Sequence, residues 1–87
     1  MEIVENQVEM RGMKRAEIVN YFISIGGNAL DSEKLLGQGW EVEISKEKTI
    51  TLGSLKFPAT VVILRCRKDL MEQMIAHFRL RFLSAGG

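Results

Sequence analysis

The chain has one cysteine, one proline and one histidine among its 87 residues, and no long hydrophobic run. A lone thiol cannot close an internal disulfide, so the staples of small secreted domains are missing and a reducing cytoplasm is the expected location. One His and one Cys cannot supply the thiolate and imidazole sets that transition metals need, and neither a metal nor a cofactor is expected. The longest uninterrupted apolar run is Val61 to Leu64, far below the roughly 18 residues of a spanning helix. The amino terminus carries Glu2 and Glu5, where a signal peptide has basic residues and then an apolar block. Neither a membrane span nor secretion is expected. Charge of one sign is scarce too: 12 Lys and Arg against 11 Asp and Glu leave a formal +1, which argues against nucleic acid as a partner.

What is present is an ordinary folding composition, 46% hydrophobic and 26% charged, and it implies one domain over residues 1–87. Val8 and Met10 alternate with Glu9 and Arg11 before Gly12, which predicts a half-buried strand over residues 3–11. Ile18, Val19, Phe22 and Ile25 then fall at helical spacing, and Gly26-Gly27 reads as the stop of that helix rather than as a phosphate cradle. Asp31 is expected to cap a short helical turn reaching Leu36. Gly37 and Gly39 lie ahead of a strand, whereas the glycines of a nucleotide loop lie ahead of a helix.

Trp40, Val42 and Ile44 alternate strictly with Glu41, Glu43 and Ser45, the clearest strand signal in the chain. A second alternating strand follows over residues 49–52, and Gly53-Ser54 suits a two-residue hairpin turn with glycine first. Pro58, lacking an amide donor, is expected at an edge, a bulge or a strand start. Val61 to Leu64 are apolar on both strand faces, which calls for a cover on each side. Asp69 with Glu72 resembles a capping box, and Met71, Met74, Ile75, Phe78, Phe82 and Ala85 line one stripe of a helix predicted over residues 70–84. Leu80 and Leu83 fall off that stripe.

The expected architecture is therefore α+β, in the order β-α-β-β-β-α: a curved antiparallel sheet of four to five strands with two helices on one face. An unstapled domain of this size is marginally stable. The surplus apolar residues Val61, Ile63, Leu80 and Leu83 accordingly suggest a homodimer interface.

No catalytic constellation emerges. Cys66 and His77 are the one conceivable nucleophile and base, and they read better as a small core filler and a polar boundary residue. Glu41 and Glu43 share a strand face at a spacing known for paired catalytic carboxylates, but a solvated face explains them more simply. Charge is uneven along the chain. Residues 1–55 carry nine acids and six bases, whereas residues 56–87 carry six bases and two acids. Arg65, Arg67 and Lys68, where the last strand meets the last helix, form a candidate anion or small-ligand site at the mouth of a sheet–helix cavity. The diglycine Gly86-Gly87 admits two readings: a helix stop, which the apolar stripe running up to it favours, or a carrier tail whose carboxylate is activated by an adenylating enzyme.

The element order, Gly39-Trp40 opening a strand, the Leu52-Gly53 hairpin and the ending Phe78-Arg79-Leu80-Arg81-Phe82-Leu83-Ser84-Ala85-Gly86-Gly87 together resemble the carboxyl-terminal domain of bacterial proteins related to the molybdopterin-synthase small subunit. That resemblance implies a TBP-like fold over nearly the whole chain. The missing catalytic constellation suggests a non-enzymatic binding or assembly module, and the resemblance implies that it is accessory to molybdopterin or sulfur-carrier metabolism, beside a sulfur-carrier or adenylating protein. In such proteins the domain follows a ubiquitin-like sulfur carrier, for which 87 residues leave no room. The family supplies no catalytic residues to carry over.

Overall fold

The computed structural model describes residues 2–82. Strand β1 (Ile3–Arg11) leads into helix α1 (Arg15–Ser24); β2 (Asn28–Ala29), β3 (Lys34–Gly37), β4 (Trp40–Ile44), β5 (Lys48–Leu52) and β6 (Leu55–Arg67) follow, and α2 (Lys68–Phe82) comes last. All six strands belong to one antiparallel sheet, ordered β1-β6-β4-β3-β2 with β5 also paired to β6. The fold is α+β, as the alternation implied, with six strands instead of four or five.

The 13-residue β6 is the spine. Along one side it pairs with β1 from Arg67 back to Ala59. Along the other it pairs with β4 through residues 62–66 and with β5 through residues 55–59. The strand thus runs straight through Pro58, which was expected at an edge, a bulge or a strand start. The Gly12 amide donates to the Pro58 carbonyl at 2.8 Å, so Pro58 sits at the last rung of the β1 ladder, where a missing donor costs a single terminal bond.

Even-numbered residues of β6 face the helices: Thr60, Val62, Leu64 and Cys66 are all buried. With Met10, Leu35, Trp40, Val42 and Ile44 they meet Ile18 and Phe22 of α1 and Phe78 and Phe82 of α2. Both helices therefore cover the same face. An aromatic cluster joins them, with the Phe22 ring 5.7 Å from that of Phe78 and Tyr21 lying edge-on to Phe22, Phe78 and Phe82.

Helix α1 starts without a local side-chain cap. Instead, the Arg15 amide donates to the Glu47 carboxylate at 2.8 Å, and the Arg15 guanidinium donates to the carbonyls of Ser45, Ser32 and Ile44. These partners lie 17 to 32 residues away, which hides them from local sequence patterns. At the other end Gly26 takes φ 103°, and the Gly27 amide donates to the Phe22 carbonyl at 2.8 Å, a helix stop as expected.

Two local expectations need correction. The segment beginning at Asp31 is not helical: Asp31 closes a turn into β3, its carboxylate accepting the amides of Glu33 and Lys34 at 2.7 and 2.8 Å. These bonds hold the carboxyl below its ordinary range, with Lys34 adding a smaller pull. Capping by Asp31 was the right chemistry, but the capped element is a strand, because Leu35 gains a buried place opposite Val42. Asp69 likewise falls inside the first turn of α2, not ahead of it, and its carboxylate lies 3.3 Å from Nε of Arg67. The Gly53-Ser54 hairpin stands as predicted, with Leu52 opposite Leu55 and Gly53 alone at positive φ.

Candidate functional site

Odd-numbered residues of β6 face away from both helices, so among the described residues the sheet has a second, helix-free face. Leu55, Phe57, Ala59, Val61, Ile63, Arg65 and Arg67 run along its middle. Antiparallel pairing sets Glu5, Gln7 and Glu9 on one flank and Glu41 and Glu43 on the other. A strand face lined this way by acids creates a strong local demand for a cation, and Arg65 meets it. Its Nε donates to Glu5 at 2.9 Å, Nη1 to Glu41 at 2.8 Å, and both terminal nitrogens to Glu43 at 3.3 Å. The carboxylate of Glu5, and then that of Glu41, raises the guanidinium's pKa further above its ordinary value. Glu41 and Glu43, weighed as a catalytic pair, are here two of three acceptors around one cation.

The other two candidate cations lie at the corner where β6 passes into α2. Arg67 sits beside Asp69, and Nζ of Lys68 is 3.9 Å from Glu2. Together these four residues line an open hollow of about 350 Å³. Each cation there already faces a carboxylate, so an incoming anion competes with an internal partner, and the exposed pairs concerned are weak ones. Arg65 lies on the helix-free face, away from the sheet–helix interior where it was expected to guard a cavity.

The surplus apolar residues do not form one patch. Val61 and Ile63 lie half-buried on the helix-free face, whereas Leu80 is 68% exposed on α2, which covers the opposite face. Leu83, Gly86 and Gly87 fall outside the described residues. Also on the helix-free face are Ile3 and Leu36, both exposed, together with Leu52 and Leu55 at the tip of the β5–β6 hairpin.

Cys66 and His77 serve different surroundings. Cys66 is buried between Val4 of β1 and Trp40 of β4, and burial, with Asp69 as a lesser cause, pushes its thiol above the ordinary value. His77 is exposed on α2. Since the thiolate is the reactive species, Cys66 is expected to resist aromatic disulfide reagents at neutral pH in the folded protein and to react promptly in denaturant. Rapid stoichiometric labelling of the native protein would contradict the buried placement.

Trp40 explains the Gly-Trp feature of the sequence. Gln38 and Gly39 form the turn between Gly37 and Trp40, with Gly39 at φ 84°. The indole then folds back over Gly37, where a Cβ would overlap the ring, and its far edge would lie 2.8 Å from a Cβ on Gly27. Gly27 and Gly37 are thus the walls of a slot for one aromatic ring.

Residues 6–87 match the family described as archaeal MoaD-like protein. That span takes in β6, both helices, the Trp40 slot and the diglycine. The chain belongs to the archaeal MoaD-like family. Comparison with curated proteins gives no match. The MoaD-like assignment bears out the molybdopterin-related likeness read from the sequence at the level of a MoaD-related domain. A bacterial carboxyl-terminal domain and a TBP-like fold go beyond what the match carries. Among the described residues, no helix of this MoaD-like protein is long and apolar enough to cross a membrane.

Proposed function

We propose that this MoaD-like protein is a non-enzymatic binding and assembly module of molybdopterin or sulfur-carrier metabolism, working in the cytoplasm beside a sulfur-carrier or adenylating protein. The observation that carries this reading is the family match over residues 6–87. It is supported by a helix-free sheet face bearing Ile3, Leu36, Leu52 and Leu55 exposed, the kind of surface on which a protein partner gains most. The reading expects a complex with an adenylating protein, seen by sedimentation of the mixture. Turnover of a molybdopterin precursor by the purified chain, lost in both Cys66→Ala and His77→Ala variants, would replace binding by catalysis.

A second reading, that Gly87 ends a carrier tail, is favoured by one specific observation: the family match continues through Gly86 and Gly87. The chemistry would be adenylation of the terminal carboxylate by ATP with release of pyrophosphate. A persulfide donor would then displace AMP, and reduction of the resulting acyl disulfide by a thiol would leave a thiocarboxylate. Intact-mass measurement after incubation with an adenylating enzyme, ATP, a persulfide donor and a thiol reductant separates the two. An unchanged mass with a stable complex supports the module. A gain equal to the difference between sulfur and oxygen, abolished in Gly87→Ala, establishes the carrier.

A further inference from the structure

We infer that β1 is the contact strand of a symmetric dimer, in which the sheets of two copies join edge to edge through antiparallel β1–β1 pairing. The backbone shows which groups are open. The Gly12 amide donates to the Pro58 carbonyl, and the Lys68 amide donates to the Glu2 carbonyl. Both belong to the single unbroken register that pairs Ile3 with Arg67 and Arg11 with Ala59. Hydrogen-bonded positions alternate along an antiparallel strand. The even-numbered residues of β1 therefore bond to β6, and the amides and carbonyls of Ile3, Glu5, Gln7, Glu9 and Arg11 point to the other side. Among the described residues no strand lies there, since β1 ends the sheet order.

Sheet edges are ordinarily blunted by proline, by bulges, by inward-facing charges or by brevity. Strand β1 uses none of these: its nine residues contain no proline, its register is unbroken, and its helix-facing residues are Val4, Asn6, Val8 and Met10; the charges it does carry, Glu5, Glu9 and Arg11, are of both signs and repel only a partner of the wrong register. By contrast β2 is two residues long, and β5 is five residues long with Lys48 at its start.

Charge selects both the occupant and the register. The outward side chains of β1 read Ile3, Glu5, Gln7, Glu9, Arg11. When Val8 of one copy lies opposite Val8 of a second, Glu5 of each faces Arg11 of the other, and Gln7 of each faces Glu9. A shift that pairs Gln7 with itself sets Glu5 against Glu9 twice, and a shift that pairs Glu9 with itself opposes two carboxylates directly. Opposite charges directly across a strand pair stabilise it, and like charges do the reverse. Within one copy, Nε of Arg11 lies 2.8 Å from Glu9 and Glu5 accepts from Nε of Arg65 at 2.9 Å, so across the seam each shares its charge with an internal partner, and the pairing contributes register selection more than affinity. Pairing Met10 with itself also opposes Glu9 and Arg11, but it overlaps only residues 9–11 of a strand that runs from Ile3 to Arg11; the Val8 register is thus the longest complementary one, and the two-fold axis passes through Val8.

The test uses the full chain. Sedimentation equilibrium up to high micromolar concentration is expected to show a monomer–dimer equilibrium. Gln7→Pro removes an amide that points away from β6, so it should abolish the dimer while leaving the thermal melt of the monomer intact. Arg11→Glu, which sets a carboxylate opposite Glu5, should weaken the dimer as well. Val8 faces Val8 at a non-hydrogen-bonded site, where Cα atoms approach to about 4.5 Å. Val8→Cys should therefore oxidise to a covalent dimer, and Met10→Cys should not. A monomer throughout the range overturns the inference, as does a dimer that neither Gln7→Pro nor Arg11→Glu disturbs.

Discussion

Phe22→Ala is expected to cost about 3–5 kcal/mol of folding stability, the usual range for emptying a buried phenylalanine site. Its side chain is 1% exposed at the junction of the two helices and the sheet. Its ring centroid lies 5.1 Å from that of Tyr21, 5.6 Å from Trp40 and 5.7 Å from Phe78. No neighbour is free to fill the space: Trp40 is held in its slot by Gly27 and Gly37, and Phe78 also packs against Phe82. Domains of this kind have only about 5–15 kcal/mol in total, so the variant should be close to unfolded at physiological temperature. Urea denaturation checks this. A loss below about 1 kcal/mol with an unchanged m-value would mean that the aromatic cluster repacks and that the junction is not the centre of the core.

Gly37→Ala should be the most damaging single methyl added to this chain, at about 1–3 kcal/mol or more. The new Cβ would fall on the Trp40 indole, which cannot retreat because its far edge already abuts Gly27 and its neighbour Phe22. Either the β3–β4 hairpin opens or the indole leaves the slot. Trp40 is the sole tryptophan, so its fluorescence reports the outcome directly: a red-shifted emission in the folded variant, beside a lowered urea midpoint. Gly53→Ala is the control. A Cβ there meets nothing within 4 Å, although φ is 61°; strain at that turn, about 1 kcal/mol, should leave the emission where it is. Equal spectra and equal stabilities for the two variants would refute the slot.

Much of the fold could be read from periodicity. The alternation of Trp40, Val42 and Ile44 placed all three in the core. The stripe Met71, Met74, Ile75, Phe78, Phe82 likewise placed the buried face of α2. Both patterns are consequences of chain geometry, period 2 in a strand and 3.6 in a helix, and need no knowledge of the neighbours. Leu35 was misread for the converse reason. Its segment is short and flanked by glycines, and only the vacancy opposite Val42 makes it a strand. Pro58, expected at an edge, a bulge or a strand start, lies inside β6, because a local rule cannot say which side of a strand its missing amide faces.

The candidate site was legible in its residue types and hidden in its arrangement. Arg65 was recognisable as a cation on the last strand. That it would be surrounded by Glu5, Glu41 and Glu43 depends on β1 and β4 flanking β6, and strand order is not written in any one strand. The same order separated Val61 and Ile63 from Leu80, turning one expected interface into two surfaces on opposite sides of the sheet.

By itself the sequence determined the α+β class, the hairpin at Gly53-Ser54, the helix stop at Gly26-Gly27 and the apolar stripes, because each follows from local backbone geometry and the burial of one face. Tertiary structure alone decided that β6 is the spine, that Arg65 is bound by acids from two other strands, that Gly27 and Gly37 clasp one indole, and that β1 ends the sheet among the described residues. The reason is physical. Pairing and packing join residues tens of positions apart, as in the Arg65–Glu5 hydrogen bond with its separation of 60, and such contacts depend on the whole chain's lowest free-energy arrangement rather than on any segment's preference.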